Sequence, residues 1–127
     1  MVEIDELNHA TLLYNMFNRY MRDDIYTYVG PILLAMNPFK NLDGIYTEQR
    51  VKEYMKIISS KQPFEDRKSL PPHIFAITAM AYKQMMDDKI KQAIVISGES
   101  GSGKTESAKR AMKFLTSLGS SNSGNPA

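Results

Sequence analysis

Cysteine is absent from all 127 residues, which excludes a disulfide framework and any cysteine-based metal site. An excess of one charge is missing too. The 16 basic and 14 acidic residues leave a net charge of +2, so composition gives no case for a nucleic-acid-binding surface. No apolar run approaches the length of a membrane span. The first eight residues, Met1 to Asn8, are acidic and lack the basic and apolar regions of a signal peptide. There is no internal repeat. His9 and His73 lie far apart with no metal-ligand spacing and read as structural, and no Ser-His-Asp constellation can be assembled. With a hydrophobic content of 43%, the expectation is one modest packed domain of a soluble, intracellular protein.

What is present is concentrated in one octet. Residues 98–105 read Gly98-Glu99-Ser100-Gly101-Ser102-Gly103-Lys104-Thr105 and satisfy G-x-x-x-x-G-K-[ST] at every fixed position. Glycines let the backbone turn its N–H groups toward one point, and such a concave run of amides binds anions. Lys104 adds a mobile positive charge for the β- and γ-phosphates, and Thr105 supplies a hydroxyl for Mg²⁺. Chance would produce the pattern in about one in a few hundred chains of this length, but the flanks sharpen it. Ala93 to Ser97 form a short apolar run with three β-branched residues in succession, the pattern of a strand buried on both faces. After the loop, Ala108, Ala111, Met112, Leu115 and Leu118 recur at helical spacing. Strand, glycine loop and helix N-terminus together point a partial positive charge at a phosphate. An incidental Gly/Ser turn would not explain these flanks. The octet implies a nucleoside-triphosphate site.

The rest of the chain reads as mixed α/β. Helical spacing over 7–22 gives an apolar face of Leu12, Leu13, Met16, Phe17 and Tyr20, with Asn8 or Thr11 as the cap. Ile25–Val29 and Ile32–Met36 flank Gly30-Pro31 and predict two strands joined by a tight turn, or one bent strand. Asn37-Pro38 and Asp43-Gly44 mark turns. A helix is expected over 47–58, with Val51, Tyr54, Met55 and Ile58 on one face, then a polar loop over 59–72. Pro71-Pro72 lead into a helix from about 73 to 88, with Ile74, Ile77, Ala81, Tyr82 and Met85 inward. The stretch from Gly119 reads as a flexible Ser/Gly/Asn linker. The glycine loop sits late, and a triphosphate site needs a metal-network carboxylate and a water-positioning group downstream of it. The layout is that of the first part of a larger catalytic domain.

These residues add up to a family. The chain resembles the N-terminal part of a myosin motor domain through four segments: residues 7–30 (LNHATLLYNMFNRYMRDDIYTYVG), 32–39 (ILLAMNPF), 71–88 (PPHIFAITAMAYKQMMDD) and 94–106 (IVISGESGSGKTE). The likeness spans about residues 5–119, and the order and spacing of the segments are far more specific than the octet alone. It implies an α/β fold: a partial P-loop NTPase of the myosin-motor type, with a mixed central sheet and flanking helices. By resemblance, residues 98–105 hold the phosphates and Mg²⁺ of ATP, with Lys104 and Thr105 in the catalytic roles and Thr105 on the metal. Asn37, Pro38 and Tyr46 match positions that wall the adenine. A proline ring and a tyrosine offer flat apolar faces, and an asparagine both a donor and an acceptor; on the residues alone, an ordinary Asn-Pro turn followed by a strand tyrosine fits as well. Eight residues, Pro38 to Ile45, separate Asn37 from Tyr46, one more than the family commonly has. The tail over 120–127 falls where the family has a variable surface loop.

The resemblance further implies an actin-based motor that couples ATP hydrolysis to movement along actin filaments, located in the cytoplasm on the cytoskeleton. ATP and actin would be its partners, with light chains in the full-length protein. The alternatives are another P-loop enzyme, such as a small-molecule kinase or a GTPase, or a nucleotide-binding fragment without turnover. Of the remaining candidates, Lys109, Arg110 and Lys113 read as a solvated helix face. Glu106 either joins the pocket or only favours the helix N-terminus. The nine methionines read as core filling, and Asp87-Asp88 as facing water.

Overall fold

The computed structural model describes residues 8–42, 44–62, 65 and 68–122. Along them run α1 (His9–Met21), β1 (Tyr26–Val29), β2 (Ile32–Ala35), α2 (Glu48–Ser59), α3 (Ile74–Asp88) and α4 (Lys104–Asn122). The class is α/β, as expected. Asn8 caps α1, its side-chain oxygen accepting from the Thr11 N–H at 2.8 Å, which satisfies one of the helix's orphan donors. The Arg19 guanidinium then ties α1 to the sheet, donating to the Thr27 hydroxyl at 2.9 Å and the Tyr26 carbonyl at 2.7 Å. The apolar face expected for α1 is only partly covered. Leu12, Met16 and Tyr20 are half-buried, whereas Leu13 and Phe17 are exposed.

β1 and β2 form an antiparallel hairpin with Tyr26 opposite Ala35 and Val29 opposite Ile32. Gly30, at φ +58, takes the first position of the two-residue loop, where a positive φ would strain any residue with a Cβ. Tyr26, Thr27 and Tyr28 of β1 are buried, while Ile32 on β2 is 60% exposed.

The core lies where α2, α3 and α4 meet. Thr47 caps α2 through its hydroxyl, which accepts from the Arg50 N–H at 3.2 Å. Val51, Tyr54 and Ile57 of α2, Phe75, Ala76 and Ala79 of α3, and Ala111, Phe114 and Leu118 of α4 are buried. The Phe75 and Phe114 rings stack at 5.1 Å between centroids and 25° between planes. Burying one such ring stabilises by about 1.5–3 kcal/mol. The core rows differ from those expected. Ile57, Phe75 and Phe114 occupy the centre, whereas Met85 is exposed and Met112 is 63% exposed. Periodicity defines an apolar stripe wider than the face a neighbour covers, and Met112 and Leu115 fall on the uncovered flank.

Two further expectations need correction. Residues 93–97 pair with no strand among the described residues. Their exposure alternates, Ile94 and Ile96 half-buried and Val95 87% exposed, so they are not buried on both faces. A ladder needs a neighbour within hydrogen-bonding reach. Instead a cavity of about 530 Å³ separates them from β2, with Ile32 and Leu34 on one side and Ile94 and Ile96 on the other. In place of the expected mixed central sheet, the described residues carry only the two-stranded one. Second, α4 continues through Asn122, so the first three residues of the tail assigned to 120–127 are helical; residues 123–127 lie outside the described ones. Within the loop expected over 59–72, residues 65, 68 and 69 are helical. Asp43 of the expected Asp43-Gly44 turn lies outside the described residues, and Gly44 has φ +87.

Candidate functional site

The glycine loop connects residues 93–97 to α4. Its turn is closed by the Ser102 N–H donating to the Glu99 carbonyl at 3.1 Å. The Ser107 N–H donates to the Gly103 carbonyl at 3.0 Å, the first intrahelical bond of α4. The N–H groups of Lys104, Thr105 and Glu106 therefore have no intrahelical acceptor, and the positive end of the helix opens at the loop. Geometry favours glycine in this loop. A Cβ on Gly98 would stand 2.5 Å from the Ser102 hydroxyl oxygen, and Gly103 has φ +100. Lys104 is exposed and folds back across the loop, its Nζ donating to the Gly98 carbonyl at 2.5 Å. Thr105 is exposed on the first turn beside it. Among the described residues no group of three or more His, Cys, Asp or Glu could hold a metal ion. The Thr105 hydroxyl is one candidate oxygen for Mg²⁺, which is commonly held by one or two carboxylates together with phosphate oxygens and water.

Asn37 comes two residues after the end of the hairpin and reaches this loop across 64 positions of sequence: its Nδ2 donates to the Gly101 carbonyl at 3.1 Å. Its Oδ1 accepts from the Phe39 N–H at 2.9 Å, which fixes the amide orientation. A cavity of about 490 Å³ opens between the two loops, lined by Asn37, Pro38, Tyr46, Gly103, Glu106 and Arg110 among others. The structure thus gathers Asn37, Pro38 and Tyr46 on one wall and the end of the glycine loop on the other. Gly98, Lys104 and Ser102 also line the cavity beside β2. Glu99, Ser100, Gly101 and Thr105 are exposed and line neither of these two cavities.

Tyr46 is held from several directions. Its hydroxyl shares a hydrogen bond of 2.6 Å with that of Tyr26. Burial, and then this bond, push the Tyr26 hydroxyl well above the usual phenol range, so it stays protonated. The His73 ring meets Tyr46 edge-on at 5.4 Å, and the Arg110 guanidinium lies over the Tyr46 ring, 4.0 Å from its centroid. His73 itself caps α3. Its Nδ1 accepts from the Phe75 N–H at 3.0 Å, so the proton sits on Nε2, which donates to the Ile45 carbonyl at 2.6 Å. Burial lowers its pKa to about 4, the nearby Arg50 charge adds to this, and the bond to Ile45 opposes it. The ring is neutral and structural, in line with the sequence reading, but its contact with the residue before Tyr46 was not foreseen.

Tyr26, His73 and Arg110 are the residues that sequence reasoning missed at this wall. For Arg110 a signal existed: Gly103, Glu106 or Ser107, and Arg110 recur at helical spacing, which places Arg110 on the face that carries the loop. For His73, its position between Pro72 and the first helical residue was the available clue.

Residues 1–126 match the family model described as myosin head (motor domain). Over 119 residues, 94% of the chain, it is 44% identical to Myosin-15 of Arabidopsis thaliana, of which it covers 7%. It is 43% identical over 115 residues, 91% of the chain, to the Myosin-M heavy chain of Dictyostelium discoideum, covering 6% of that protein. To unconventional myosin-VI of Sus scrofa it is 43% identical over 110 residues, 87% of the chain and 8% of the relative.

Proposed function

The chain belongs to the myosin head (motor domain) family, and from that premise we propose that it forms the ATP-gripping part of an actin-based motor that couples ATP hydrolysis to movement along actin filaments. It spans only 6–8% of the length of the three relatives described above, so the whole-protein activity is reached through the site. The observation that carries the reading is the bond from Asn37 to Gly101, which sets a wall of flat side chains and an amide-lined loop around one cavity. In this reading the adenine lies against Asn37, Pro38 and Tyr46. The triphosphate lies along residues 98–105.

Each residue then has a task. The amides of 100–105 and the N-terminus of α4 donate to the β-phosphate oxygens and offset their charge. Lys104 neutralises charge developing on the γ-phosphate oxygens as water attacks in line. The Thr105 hydroxyl would hold Mg²⁺, which would supply charge neutralisation at the phosphates. The fold would be a P-loop NTPase of the myosin-motor type, with residues 93–97 as a strand of a mixed central sheet. Residues 1–119 would belong to the motor's N-terminal part and the Ser/Gly/Asn tail over 120–127 to a variable surface loop, whose first three residues continue α4. Actin, light chains and a cytoplasmic, cytoskeletal setting follow for the full-length protein from the family. The family match leaves the kinase and GTPase alternative without support.

Replacing Lys104 by alanine in the full-length protein should weaken Mg-ATP by about 10- to 150-fold, the worth of a charge-assisted contact of about 1.5–3 kcal/mol. Titration calorimetry reads this directly, and wild-type affinity in Lys104→Ala would refute the assignment.

A further inference from the structure

We propose that Arg110 is a positioning residue for the nucleotide base, acting through Tyr46. The inference rests on the reading that Tyr46 walls the purine, and it adds what holds that wall in place. Tyr46 lies in the connection between β2 and α2, outside any regular element, so its ring depends on neighbours for its orientation. Tyr26 anchors the hydroxyl at 2.6 Å. His73 and Phe75 meet the ring edge-on at 5.4 and 6.1 Å, with interplanar angles of 79° and 71°. Arg110 covers the ring face, 4.0 Å from the centroid.

Arg110 is suited to that task. It is half-buried, and none of the ion pairs among the described residues uses it. Glu106, one turn earlier on α4, approaches Lys109 instead, at 3.5 Å. A planar guanidinium stacks on an aromatic face in a fixed orientation, which an ammonium does not. It also stands six residues beyond Lys104, about 9 Å along the helix axis, with its charge engaged over the ring. The helix that opens on the phosphates at its N-terminus therefore also sets the orientation of the base wall. Base recognition and phosphate grip share one rigid element.

The test compares Mg-ATP with inorganic tripolyphosphate, which has the phosphates and no base, on the full-length protein. Arg110→Ala should weaken Mg-ATP about three- to tenfold, the range of a partly desolvated cation–π contact. It should leave tripolyphosphate within about twofold, which also reports an intact loop. Arg110→Lys should recover part of the loss, because a charge returns over the ring without its plane. Equal weakening of both ligands in Arg110→Ala would overturn the inference, because the residue would then act on the phosphates or on the fold. Tyr46→Ala separates the two readings. If it weakens Mg-ATP while Arg110→Ala does not, the positioning role falls and the purine wall stands. If Tyr46→Ala leaves Mg-ATP unchanged, the purine wall fails and the positioning role goes with it.

Discussion

His73 is buried and neutral, with each ring nitrogen committed to a backbone partner. Its pKa falls from the usual 6.5 to about 4 in the folded protein. Between those values the unfolded chain binds the extra proton, so stability rises with pH there. The contribution is complete above about pH 6.5 and is lost as pH falls toward 4, a total of about 3 kcal/mol. In the full-length protein, thermal unfolding of wild type and His73→Gln measured between pH 7 and 4 should therefore converge as the solution is acidified. Parallel curves would show that the ring titrates elsewhere. At this scale the octet stood out because the phosphate nest proposed for it would make chemical demands that few sequences meet. The Asn8 cap was legible for a similar reason, since an asparagine oxygen is built to accept from a helix N–H. His73 and Arg110 were not. A histidine is an uncommon cap, and a basic residue on a helix says nothing about which ring will come to lie beneath it.

At the scale of elements, the helices and the hairpin follow from local signals: Gly30 with Pro31 for the turn, and Thr47 and Asn8 for helix starts. Which row of each helix lies inward did not follow, because that depends on what stands opposite. Phe114 meets Phe75 across the α3–α4 contact, whereas Met112, two positions earlier, faces outward. Phe114→Ala should cost the full-length protein about 3–5 kcal/mol, the range for truncating a fully buried phenylalanine. Chemical denaturation checks this, and a loss below about 1 kcal/mol would mean that α4 is anchored by something other than this stack. Residues 93–97 make the complementary point. Their alternation is that of a strand, yet a strand exists only through its ladder. No pattern within a segment can report whether the partner is in reach.

At the scale of the whole molecule, the three-helix core and the hairpin leave much apolar surface in contact with water. Leu13, Phe17, Ile32, Ile90 and Val95 are all exposed. Both β2 and residues 93–97 line the cavity between them, and residues 93–97 pair with no strand among the described residues. Unpaired edges and apolar patches of this kind drive association. The 127-residue chain produced by itself should therefore be poorly soluble, lack a sharp thermal transition, and release no phosphate from ATP above background. Scanning calorimetry that shows one narrow cooperative peak for it would contradict this expectation. The Asn37 side chain has a different consequence at this scale. Its amide ties together two loops that the chain lays down far apart, so parting the two sides of the pocket costs about 0.5–1.5 kcal/mol, the worth of one hydrogen bond. On the proposed reading, motion of the base wall and of the glycine loop would be biased to occur together by that one contact.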